Sequence, residues 1–308
     1  MRTRCFSIHL TISKNSINYA YQAINSYIYL SSSDSQITFF AYCLDNYSFM
    51  KMNSSKKFES VIKIGAERVG GSVGHALALE AAVNNFAANQ INIISDTDIM
   101  IVEKHWDIRL WHKITDNSID LLGTQHEGIG GFISKNLKEQ QYKSKPSSTW
   151  MAVAPRINLN GLGFMPNKSD FIQIDNNQLS ELYNLPIGYI LFRDTGWQIP
   201  AYIEDNKISY EVLEIVKPSH NKSKILKGLS DYHDEFHLGD TPFLIHQRGS
   251  MRHRYRIDKL SVGFYNAADT YLEFPEWSLR PNLITKLMSI PMTCEIKIKK
   301  VIKKLIFK

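Results

Sequence analysis

The chain has 308 residues, 44% of them hydrophobic and 11% aromatic, enough to bury the core of one large α/β domain or two small ones and too apolar for a disordered protein. Its formal net charge is +6, but residues 295–308 hold Lys297, Lys299, Lys300, Lys303, Lys304 and Lys308 against Glu295, so the remainder is close to neutral. A nucleic-acid binder spreads basic charge over a working face, whereas here it is concentrated in one tail, and no nucleic-acid partner is expected.

Cys5, Cys43 and Cys294 are odd in number and lack metal-type spacing, which reads as free thiols in a reducing, cytoplasmic setting. The N-terminal stretch is interrupted by His9, Ser13, Lys14 and Asn15, so no signal peptide is expected. No run approaches the roughly 18 apolar residues of a spanning helix.

In chain order, residues 4–12 read as a strand, and 15–30 carry apolar residues at helical spacing (Ile17, Ala20, Tyr21, Ile24, Tyr27, Ile28). Residues 36–44 and 60–65 are further strands. From Gly70 the seam Ala76, Leu79, Val83, Phe86 has steps of three and four, hence a helix. Residues 91–95 and 99–102 are apolar strand segments on either side of Asp96 and Asp98. Strands alternating with helices predict an α/β fold with a mainly parallel sheet covered on both faces. Residues 121–136, with Gly128, Gly130 and Gly131, read as a loop. Residues 149–159 and 189–194 read as strands, and 241–256 runs from an apolar strand into a basic cluster. One domain over residues 1–290 is expected, followed by a tail at 291–308.

The chemistry centres on D-x-D at Asp96 and Asp98. With 16 aspartates in the chain about one such pair arises by chance, so the motif gains meaning only from its place where a buried strand ends. Ligands of open α/β sheets sit at the carboxyl ends of the strands. Paired carboxylates there supply hard oxygen ligands for Mg²⁺ or Mn²⁺, ions that usually also hold substrate phosphates. Gly70-Gly71-Ser72-Val73-Gly74-His75 opens a helix whose free N–H groups suit an anion, although a plain tight turn has the same composition. Later, His246 follows Phe243-Leu244-Ile245 and precedes Arg248, Arg252, His253, Arg254 and Arg256, which offers an imidazole ligand and guanidinium forks for phosphate.

This order of elements resembles the nucleotide-sugar glycosyltransferases of the GT-A fold, over roughly residues 4–256. The resemblance implies that Asp98 binds the divalent cation, that Asp96 contacts the metal or the donor ribose, and that His246 is the late metal-binding histidine. It implies that Asp45 faces the nucleotide base. His246, Gly249 and Arg252 are similar to an H-x-x-G-x-x-R motif of some retaining members. Ser72, His75 and Arg252 are expected to face the diphosphate of a UDP- or GDP-linked donor. The acidic motif fits less closely: in R-D-T-G-W, Asp194 is the candidate general base and Trp197 a platform for a sugar, while a turn with a capping Asp is the competing reading. Inverting and retaining mechanisms both stay open.

Two other enzyme classes share parts of this pattern. A haloacid-dehalogenase-type phosphatase carries D-x-D near its first strand with Thr or Val two residues on, unlike Asp98-Ile99-Met100. Sugar nucleotidyltransferases open with a Gly-rich basic signature absent from residues 4–16. Beside the D-x-D phosphatase, the alternatives are a non-catalytic sugar- or nucleotide-binding module, or a nucleic-acid binder using residues 246–256. In the tail, Ile298, Val301, Ile302, Leu305 and Ile306 fall on one helical arc opposite the lysines, the pattern of a peripheral helix on an anionic membrane, or of a helix packed on the body. The first of these would suit a lipid-linked or surface glycan acceptor.

Overall fold

The structure is a computed structural model. It describes residues 3–67, 71–116, 118–125, 145–183, 187–188, 190–216 and 233–247. Gly128, Gly130 and Gly131, Arg252 with its neighbouring basic residues, Cys294 and the tail at 291–308 lie outside the described residues.

The first strand, β1 (Arg4–Ile12), shows how the sheet is built. Its even positions Phe6, Ile8, Leu10 and Ile12 are fully buried in the larger core, with α1 (Ile17–Leu30) and α4 (Trp106–Thr115) supplying Ala20, Ile24, Tyr27, Trp106, Leu110 and Ile114 on that face. Its odd positions Ser7, His9 and Thr11 point to the opposite face and are buried as well. On that second face α3 (Gly71–Asn84) packs Ala78 and Ala82 against Tyr42 of β2 (Ser35–Cys43). Both faces are therefore covered, as the alternation of strands and helices predicts.

Among the described residues the sheet has ten strands in the order β3-β2-β1-β4-β7-β6-β10-β11-β12-β5, while β8 (Asn167–Gln173) and β9 (Ile190–Arg193), with α5 (Asn177–Tyr183) between them in sequence, pair separately. Strands β3 (Ser60–Lys63), β2, β1 and β4 (Ile91–Asp96) are mutually parallel. Beyond β4 the sheet becomes mixed: β7 (Pro146–Val153) runs antiparallel between β4 and β6 (Leu121–Gln125), and β6 is parallel to β10 (Tyr210–Val216). Antiparallel pairing continues through β11 (His233–Leu238), β12 (Thr241–Gln247) and β5 (Ile99–Ile101). The reading of 121–136 as a loop is corrected at its start: Leu121, Leu122 and Thr124 are buried in β6. Gly123 lies there because a Cβ would come within 2.8 Å of Pro146 on the adjacent strand.

Two tryptophans fix the helical layer to the sheet through one tyrosine. The Trp106 indole donates to the Tyr27 carbonyl at 3.0 Å, and the Trp150 indole donates to the Tyr27 hydroxyl at 2.7 Å. Short α2 (Asn46–Asn53) is capped by Asp45, whose Oδ1 accepts from the Ser48 amide at 2.8 Å. Among the described residues no helix is long and apolar enough to cross a membrane.

His9 is the buried titratable group of the second face. It stacks on Phe40 at 4.9 Å, with Nδ1 3.0 Å from the Tyr42 hydroxyl and Nε2 3.3 Å from Asn92 Oδ1. Burial pushes its pKa down from 6.5 to about 4, against a smaller opposing effect of Asn92. A folded-state value below the unfolded one leaves its contribution intact above pH 6.5 and removes it as the pH falls from there toward 4. His9 should therefore cost the fold about 2 kcal/mol between pH 8 and pH 5. Urea unfolding of the wild type and of His9→Gln at both pH values should show the stability of His9→Gln relative to the wild type rising by that amount from pH 8 to pH 5, since other titrating groups act on both proteins alike; an unchanged difference would remove His9 as its source.

Candidate active site

Asp96 closes β4, paired in register with Thr11 near the end of β1, so its carboxylate stands at the carboxyl edge of the parallel strands. The chain then turns within Thr97 and Asp98 into β5, and the isoleucines on both sides of this turn are buried. The two carboxylates therefore sit on the rim of the apolar core.

β5 is not paired with its sequence neighbours. It lies antiparallel to β12, with Ile99 opposite His246, and this register delivers an imidazole from a distant part of the chain to the D-x-D turn. Asp96, Asp98 and His246 offer ligand atoms that all lie within 4.8 Å of one another. His246 Nε2 is 3.5 Å from Asp98 Oδ1, a spacing suited to neighbouring ligands each about 2.1 Å from a shared cation. Two carboxylates and one imidazole form a suitable donor set for a divalent ion, with room for water or phosphate oxygens.

The start of α3 brings a second imidazole. His75 Nε2 is 2.9 Å from Asp96 Oδ1. Burial disfavours its charged form, but Asp96, Asp98 and Asp194 together outweigh burial and raise its affinity for a proton. His246 follows the same logic: burial would lower it, while Asp98, Asp234 and Asp96 raise it to about 9. Each imidazole is held among carboxylates that favour its protonated form.

Asp194 belongs to the turn before α6 (Ile199–Asp205), whose N-cap is Gln198, so the residue is not the helix cap. Its Oδ1 accepts from the Thr195 amide at 2.8 Å. The Thr195 hydroxyl donates to the Ser72 carbonyl at 2.8 Å, docking this turn on the first turn of α3. Gly196 makes the docking possible: its φ is +78°, and a Cβ there would meet Ser148 Oγ at 2.7 Å. The Trp197 indole donates to the Met165 carbonyl, and the Arg193 guanidinium stacks 4.4 Å from its ring centroid.

Of the residues singled out in the sequence, Ser72, His75, Asp96, Asp98, Asp194 and His246 thus fall in one neighbourhood. Asp45 stands at the end of β2, where its two oxygens accept from the amides of Ser48 and Lys14. Arg252 lies outside the described residues. Sequence reasoning passed over Asp234, which β11 places opposite His246. Its only signal was a charged residue in a strand-length segment, easily read as a solvated loop.

No protein-family model matches the chain, and no curated protein does. Among solved structures the chain is similar to the mannosyltransferase PcManGT from Pyrobaculum calidifontis in complex with GDP-Man and Mn²⁺, with 11% identity and a TM-score of 0.36 over 54% of this chain. That likeness spans about half, 48%, of the mannosyltransferase. The S. aureus TarS fragment 1–349 is matched at 14% identity and a TM-score of 0.34, over 93% of this chain and 78% of that one. The M. tuberculosis glucosyl-3-phosphoglycerate synthase is matched at 11% identity and a TM-score of 0.42, over 89% of this chain and 82% of that one.

Proposed function

We propose that the protein is a metal-dependent glycosyltransferase that moves a sugar from a UDP- or GDP-linked donor to a glycan or lipid-linked acceptor. The observation that carries this reading is the cluster of Asp96, Asp98 and His246 at the carboxyl edge of the parallel strands, with ligand atoms within 4.8 Å of one another. In this reading Asp98 and His246 hold Mn²⁺ or Mg²⁺, and Asp96, fixed by His75, faces the metal or the donor ribose. The imidazole in the set favours Mn²⁺ over the harder Mg²⁺. The bound cation would supply charge stabilisation for the diphosphate.

The reaction breaks the bond between the anomeric carbon and the β-phosphate oxygen, and negative charge grows on the departing nucleoside diphosphate. The first turn of α3, from Ser72 to His75, presents amides and an imidazolium on that side, groups already oriented before charge develops. Asp194, held by the Thr195 amide and docked against Ser72, takes the proton from the acceptor hydroxyl. Asp45 and Arg252 complete the donor site in this proposal, at the base and the phosphates. The basic stripe of 295–308 would hold the enzyme on an anionic bilayer, at about 1 kcal/mol per lysine near the surface.

Three measurements test this. Asp98→Asn and His246→Ala should each markedly weaken Mn²⁺-dependent binding of UDP and GDP in calorimetry while circular dichroism stays that of the wild type; normal binding by either would remove that residue from the metal site. In a screen of nucleotide sugars with Mn²⁺, Asp194→Asn should lower acceptor-dependent turnover by about 10²–10⁴-fold with donor binding unchanged. An unchanged rate would leave Asp194 as a turn residue, and binding with no turnover on any donor would favour a non-catalytic module. Full-length protein should sediment with anionic liposomes at low salt and lose this on deletion of 295–308; equal binding by the truncated chain would exclude the tail as anchor.

A further inference from the structure

The hairpin of β11 and β12 places Asp234 directly across from His246, on the same face of the sheet. The Asp234 side chain is 2% exposed, and its Oδ2 lies 4.0 Å from His246 Nδ1, while Nε2 on the other edge of the ring is 3.5 Å from Asp98 Oδ1. Strand alternation sends the next residue, Glu235, to the opposite face, where it pairs with His237. The ring of His246 is thus held between a carboxylate of the D-x-D turn on one edge and a carboxylate of its own hairpin on the other.

An imidazole can present only one nitrogen to a cation, and the group facing the other nitrogen decides which. A carboxylate beside Nδ1 favours the proton there and leaves the Nε2 lone pair directed at the D-x-D turn. Such partners orient the ring and raise its basicity, and their loss costs about 10–100-fold in metal affinity. Burying a carboxylate also carries a desolvation penalty, which its place beside His246 offsets.

Resting on the metal site proposed above, we propose that Asp234 is a positioning residue that aims His246 Nε2 at the cation. The test is Mn²⁺ binding by the full chain without nucleotide, read from the electron paramagnetic resonance signal of free Mn²⁺. Asp234→Asn should weaken binding about 10–100-fold. It should weaken it no further in the His246→Ala background, because Asp234 acts through that ring. Equal affinity of wild type and Asp234→Asn would overturn the inference and leave the metal site standing, as would an undiminished loss in the His246→Ala background. A wild-type chain that binds no Mn²⁺ would overturn both. If Asp234→Asn does not fold, Asp234→Thr, suited to a strand, replaces it; failure of both to fold would assign Asp234 to the fold itself and overturn the positioning role.

Discussion

The arrangement of this protein depends on a concentration of negative charge at one edge of its sheet. Asp96, Asp98, Asp194 and Asp234 converge there from β4, the turn into β5, the turn before α6 and β11. Carboxylates this close in partly buried surroundings raise one another's energy unless cations lie between them. His75 and His246 occupy those places, one at 2.9 Å from Asp96 and the other between Asp98 and Asp234. The scaffold keeps this edge assembled: α3 must start beside Asp96, and the β11–β12 hairpin must reach β5.

The antiparallel hairpin at the far end of the sheet meets that requirement. The antiparallel β12 aligns His246 with Ile99, one residue beyond Asp98, and β11 aligns Asp234 with His246. One register error would send both side chains to the other face and dismantle the cluster. The apolar run Phe243-Leu244-Ile245, buried throughout, holds that register.

The legible parts of the sequence were those where burial and period agree. In β1, α1, β2 and β4 the apolar positions follow one period each, and the D-x-D stood out because charge interrupts such a run. The hairpin was harder to read: only the apolar end of β12 was visible. β11 is the sequence HDEFHL, yet Asp234 is 1% exposed and Glu235 fully buried: Asp234 faces His246 of the paired strand, and Glu235 pairs with His237 two residues along. Polar strands of this kind carry no hydrophobic signature. β6 was hidden by its brevity and by Gly123, which signals a loop locally but serves close packing against Pro146. Asp45 shows the converse limit. Its position at a strand end was legible, but its contact with the Lys14 amide was not, since Lys14 lies on another loop.

The same electrostatics bears on how such a site can accept an anionic donor. Without a bound cation, four carboxylates and two imidazoles leave the edge short of positive charge even with both rings protonated, and a diphosphate would be repelled. A divalent ion among Asp96, Asp98 and His246 would displace the proton on His246 and add more charge than it removes, turning the edge toward attraction. His75 pairs with Asp96 from the side of α3 and is not among the groups that would take part in that exchange. The two histidines are therefore not equivalent. In the proposed reading His246 would stand where a proton and a metal compete for one lone pair, and Asp234 behind it would keep that lone pair aimed. His75 stands instead beside the first turn of α3, where Asp96, Asp98 and Asp194 favour its charged form, on the side on which phosphate oxygens would gather in the proposed reading.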